Sequence, residues 1–144
     1  MGLLTRASHY FVGEPVVLPP ELAARYPELC GVRWRRGGIP PRAGGWGLGV
    51  RTVAAITLWR TVWLAPHTPW SAELLLHELR HVHQFESSAW FPVSYLWESL
   101  RRGYHANRYE VDACRYAAAR LRGTVSPPPP ADSTSWSSTP PHRS

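Results

Sequence analysis

The run from Ala72 to Phe85 contains neither Gly nor Pro. It is too long for a strand of a small sheet, so it is expected to form the helix against which the rest of the chain packs. Leu75, Leu79 and Val82 recur at i, i+4 and i+7, a stripe that demands a core on its side. Leu74, His77, His81 and Gln84 lie along another line of the same helix. Within that second line sits H-E-x-x-H, with His77, Glu78 and His81 at the defining positions.

Residues four apart share one face of an α-helix, so both imidazoles can aim a nitrogen at one point. A Zn–N bond needs that point about 2.0–2.1 Å from each. Glu78 lies roughly 100° round from His77, too far to ligate easily but near enough to reach a water on the metal. Zinc lowers the pKa of such a water to about 7, and a neighbouring carboxylate can take its proton. A shuffled chain with seven histidines in 144 residues would show this spacing at a rate on the order of 2 %. The helical context favours the metal reading over its plain rival, a core helix with two hydrogen-bonded histidines.

A catalytic zinc uses three protein ligands and keeps a position open for water. Candidates for the third are His67, His83, His105, Glu98, Glu110 and Asp112. His83 points about 200° away from His81 and cannot join the same ion. His67 belongs to the loop before the helix. Glu110, near the start of a later helix, is the best placed, and a carboxylate there would complete a His₂Glu set. With Glu78 as general base, Tyr104, His105 and Tyr109 are the nearby candidates for stabilising an oxyanion.

The remaining elements follow from local signals. Pro19-Pro20 ahead of Glu21–Tyr26 predicts a short helix with a carboxylate in its first turn. Val32–Arg35 alternates apolar and basic residues as a half-exposed strand does. Residues 1–12 are too brief a pattern to assign, and Gly44-Gly45-Trp46-Gly47 reads as loop. Ala54–Trp59 and Val62–Ala65 predict a strand pair turning at Arg60-Thr61, or one long bent strand. Ser71 is placed to cap the motif helix. A second helix is expected over Val93–Arg102, ended by Gly103, and a third over Arg108–Arg122, capped by Asn107. The layout is α+β: a small sheet or hairpin, then the motif helix and two further helices.

Residues 1–123 are therefore expected to form one domain, and 124–144, almost all Pro, Ser and Thr, a disordered tail. The net charge of +6 comes entirely from arginine on the basic side. Without lysine this argues against a nucleic-acid surface, and the cluster Arg33, Arg35, Arg36 is expected to be a solvated face. Cys30 and Cys114 are expected to be buried free thiols, which points to a reducing compartment. The first residues lack a secretory signal, and no stretch is long and apolar enough to span a membrane. A cytoplasmic location without stable membrane insertion is the expectation. Trp90, Phe91, Tyr95 and Trp97 could line a lipid interface, but packing of the motif helix against its successor is the expected role.

The phrases A-I-T-L-W-R-T-V-W-L, L-L-H-E-L-R-H-V-H-Q and H-A-N-R-Y-E-V-D-A together resemble small bacterial domains of the zincin-like metallopeptidase superfamily, of the Glu-zincin type. The resemblance covers about residues 53–120. It implies a minimal zinc peptidase with His77, His81 and Glu110 as ligands and Glu78 as base. Arg108 stands where the pattern usually has Pro, and Cys114 where many such domains place an Asp that orients a ligand histidine. On this reading Val62–Ala65 is the sheet edge that binds an extended peptide, with Trp59 or Trp63 shaping a subsite. The alternative is a catalytically inactive zinc-binding module with a structural or protein-docking role.

Overall fold

The computed structural model describes residues 12–41, 53–123 and 126. The expectations for residues 1–11, for the Gly44–Gly47 loop and for nearly all of the tail lie outside the described residues. The elements in chain order are β1 (Glu14–Pro15), α1 (Pro20–Arg25), a 3₁₀ turn (Pro27–Gly31), β2 (Arg33–Arg36), β3 (Ala55–Leu58), β4 (Thr61–Leu64), α2 (Ala72–Ser87), α3 (Phe91–Arg102), a second 3₁₀ turn (Tyr104–Ala106) and α4 (Arg108–Leu121). The α+β architecture is as expected.

The sheet order is β1-β2-β4-β3. β3 and β4 form an antiparallel hairpin in which Leu58 faces Thr61, so the turn is Trp59-Arg60, one residue earlier than the composition suggests. A two-residue hairpin favours φ > 0 in its loop, and Trp59 adopts φ 53 there. Its ring rests 5.7 Å from that of Phe85 on α2. β2 adds to the other side of β4, parallel, with Trp34 opposite Val62. The expectation that Val62–Ala65 forms the sheet edge is thereby corrected: β4 is interior, and among the described residues β3 is the edge beside the motif helix. The parallel pairing of β2, made across a long connection, removes β4 from the edge.

β2 bears out the expected solvated arginine face at Arg33, which is exposed, and overturns it at Arg35 and Arg36. Arg35 donates to the carbonyls of Val12 and Gly13 at 2.8 and 3.0 Å. Arg36 donates to those of Ala65, Pro66 and Thr68, the last at 2.6 Å. These two side chains tie down loops and are not a free basic patch.

The hairpin and β2 present Trp34, Val62 and Leu64 to the stripe on α2, where Leu75, Leu76, Leu79 and Val82 are all buried. Burial of each such side chain stabilises the fold by about 1.5–3 kcal/mol. α2 starts as expected, with the Ser71 hydroxyl accepting from the Leu74 amide at 3.5 Å. α3 starts two residues earlier than expected because Pro92 fits the first turn, whose free amide positions need no donor. Its end at Gly103, with φ 77, is as expected. α4 packs chiefly on α2. Its cap Asn107 is fully buried: the side-chain oxygen accepts from the Tyr109 amide at 2.9 Å while the amide nitrogen donates to the Tyr95 carbonyl and the Ser99 hydroxyl. One side chain therefore caps α4 and docks it on α3.

Candidate metal centre

Docking α4 on α2 brings Glu110 to the line of α2 that carries the two histidines. His77 Nε2 lies 3.3 Å from Glu110 Oε2, His81 Nε2 lies 3.2 Å from Glu110 Oε1, and the two Nε2 atoms are 3.1 Å apart. These three residues form a group that could hold a metal ion. Ligands about 2.0–2.1 Å from a tetrahedral ion stand about 3.3 Å from one another, which is the spacing found.

The protonation of His81 follows from its outer nitrogen. Gln84 Nε2 donates to the Tyr109 carbonyl at 3.2 Å and to Asp112 Oδ2 at 2.9 Å. Both partners are acceptors, so the amide is oriented and its Oε1 faces His81 Nδ1 at 2.8 Å. Nδ1 must then carry the proton, and neutral His81 presents a lone pair at Nε2. Asp112 is in turn held by Arg80 Nε at 2.6 Å. Asp112, a candidate third ligand in the sequence, instead orients His81 through Gln84.

His77 has a softer partner. Its Nδ1 lies 3.6 Å from Cys114 Sγ, so the thiol occupies the place beside the ring where a carboxylate is commonest. Cys114 and Cys30 are both exposed, which corrects the expectation of buried thiols. Partial desolvation of the sulfur and the nearby Glu110 and Glu73 carboxylates raise the Cys114 pKa. Glu73 itself is exposed on the first turn of α2.

Lone pairs from two imidazoles and a carboxylate converging at this range repel one another unless a proton or a cation lies between them. Without a metal a proton takes that role. Burial lowers the His81 pKa, but hydrogen bonding to Glu110 and the charges of Glu78 and Glu110 raise it on balance. Burial likewise raises the Glu110 pKa, yet hydrogen bonds from His77 and His81 hold it well below the usual carboxylate range. Tyr95 adds a short bond, its hydroxyl donating to Glu110 Oε1 at 2.6 Å. Burial and the Glu110 charge push the Tyr95 phenol up.

Glu78 is buried one position from His77, and Thr57 on β3 donates to its Oε2 at 2.6 Å. Glu78, His81 and Glu110 line a cleft of about 330 Å³. One wall is the edge strand, Ala55 to Leu58, and the opposite wall comes from α3 and the following turn, including Phe91, Tyr95, Leu96 and Tyr104. Comparisons with protein families, with curated proteins and with solved structures return no match.

Of the residues singled out in the sequence, Tyr104 lines the cleft, where burial and Glu110 raise its pKa. His105 is exposed and packs on the Tyr104 ring at 5.4 Å. The Tyr109 ring lies edge-on to Phe91 at 5.0 Å, and its hydroxyl accepts from Arg108 at 2.8 Å. His67 is exposed in the loop before α2, and His83 packs edge-on to Tyr116 at 5.9 Å. Glu98 is buried and pairs with Arg102 at 3.3 Å. Trp59 projects from the hairpin turn, and Trp63 donates to the Val12 carbonyl at 2.7 Å. Two residues carry more of the site than the sequence suggests, Thr57 and Tyr95. Neither stands in a motif, and each gains its role only from a contact across the fold.

Proposed function

We propose that the protein is a zinc-dependent hydrolase of peptide bonds. The observation that supports this best is the meeting of two imidazole nitrogens and a carboxylate beside a second carboxylate, Glu78, in the wall of an open cleft. A purely structural zinc site closes its fourth position with protein and needs no base. Here His81 and Glu110 line an open cleft, with Glu78 in the same wall.

His77, His81 and Glu110 would hold the ion, which when bound supplies an acidified water and a Lewis acid for the scissile carbonyl. Among the described residues β3 pairs only with β4, so its outer edge can receive an extended peptide by strand addition. Thr57 engages Glu78 Oε2 and leaves Oε1 to take a proton from the attacking water. As the C–N bond breaks, Glu78 returns that proton to the departing amine. Tyr104, at the cleft wall, is the hydroxyl assigned to the developing oxyanion.

The test is zinc content together with cleavage of casein and a mixed peptide library, for wild type and Glu78→Gln. The expected result is that both bind zinc and only wild type cleaves. Zinc-loaded wild type that cleaves nothing would overturn the hydrolase and leave a metal-binding docking module.

A further inference from the structure

α3 is amphipathic in an unusual sense, because much of its apolar side faces outward. Phe91, Tyr95 and Glu98 turn toward the protein. On the opposite side Val93, Leu96, Trp97 and Leu100 follow the i, i+3, i+4, i+7 pattern and are 60 %, 59 %, 64 % and 75 % exposed. Trp90, at the N-cap, is 73 % exposed. Together these five present on the order of 600 Å² of surface, at the top of the range for the largest apolar patch on an ordinary monomer.

The charges along α3 and its flanking turns are one-sided. From Ser87 to Tyr109 there are three arginines and one glutamate, and that glutamate, Glu98, is buried and paired with Arg102. Arg101 flanks the apolar face at the C-terminal end of α3. A protein surface evolved for solvent would mix signs here. A face of Trp and Leu bordered by arginine matches the polar–apolar boundary of a bilayer with anionic headgroups, where indole rings sit at headgroup level.

We propose that the outward face of α3 docks on an anionic lipid surface, with Trp90, Val93, Trp97 and Leu100 entering the headgroup layer and Arg101 contacting lipid phosphate. Leu96 belongs both to this face and to the cleft, so docking holds the cleft mouth against the bilayer. The contact is peripheral: among the described residues no helix is long and apolar enough to cross a membrane.

The test is co-sedimentation of the full chain with vesicles of pure phosphatidylcholine and of equimolar phosphatidylcholine and phosphatidylglycerol, with light scattering of the free protein alongside. Wild type is expected to partition about tenfold more strongly onto the anionic vesicles and to be released by salt. Trp97→Ser/Leu100→Ser should lose that binding about tenfold with circular dichroism and metal content unchanged, and Arg101→Glu should also weaken it. Wild type that stays in the supernatant with both vesicles, or a double variant that binds like wild type, would overturn the proposal. So would a wild-type dimer that the double variant converts to monomer, since a second copy would then own the face. Cleavage of soluble peptides is unaffected by any of these outcomes, so docking and hydrolysis fail separately.

Discussion

Thr57→Val tests the link between the sheet edge and the motif helix. The substitution keeps the side-chain shape and removes the hydroxyl that donates to Glu78 Oε2 at 2.6 Å. Both residues are buried in the cleft wall, so water replaces the lost donor only poorly. A hydrogen bond to a charged group contributes about 1.5–3 kcal/mol, and an abandoned buried acceptor carries a similar desolvation penalty. We expect a destabilisation of about 2 kcal/mol, a fall in Tm of about 8 °C for a folded unit of this size. Urea unfolding followed by circular dichroism measures it. Thr57→Ser, which restores the hydroxyl, should recover most of the loss. In cleavage assays the Val variant should lower kcat with little change in KM, because Glu78 loses its orientation and the peptide cleft stays intact. A loss of stability below about 0.5 kcal/mol, or equal effects of Val and Ser, would refute the assignment of Thr57 as the support of Glu78.

Gln84→Leu removes the acceptor for His81 Nδ1 and should weaken metal binding about 10–100-fold by calorimetric titration, while an unchanged affinity would separate Gln84 from the site. Cys114→Asp extends a carboxylate oxygen toward His77 Nδ1 across the present 3.6 Å gap; metal affinity should rise, and a fall would mean that repulsion from Glu110 and Glu73 outweighs the new bond. For the metal-free protein the pH dependence has two limbs. Glu110 is held low, so its contribution is complete above the ordinary carboxylate pKa and is lost as pH falls through the depressed folded value. His81 is held high, so its contribution is complete below the ordinary imidazole pKa and is lost as pH rises through the folded value. Stability of the stripped protein should therefore peak on the weakly acidic side, and zinc should move the optimum upward; an identical profile with and without zinc would contradict the shared site.

What could be read from the sequence was what is local. The motif helix, its Ser71 cap, the Asn107 cap and the stop at Gly103 depend on residues within a turn of one another, and each is found where spacing places it. The identity of the sheet edge could not be read, because β2 joins β4 in parallel from about 28 residues away in sequence, and nothing in Val62–Ala65 marks which side β2 takes. Arg35 and Arg36 of β2 failed as a solvated face for a related reason: their acceptors are loop carbonyls, which composition does not display. At the site, His77 and His81 share a helix face by periodicity alone, whereas the approach of Glu110 depends on α4 packing along α2, a contact between helices distant in sequence. The support of Glu110 by Tyr95 and of Glu78 by Thr57 arises from tertiary contact and leaves no trace in motif spacing.

The most direct measurement is calorimetric titration of zinc into the metal-stripped protein, wild type beside His77→Ala and Glu110→Gln. One ion per chain is predicted for wild type, with affinity reduced at least about 100-fold in each variant and a proton released on binding near neutral pH. Wild type that takes up no more zinc than the variants, or a Glu110→Gln protein that binds as tightly as wild type, would contradict the three-ligand centre.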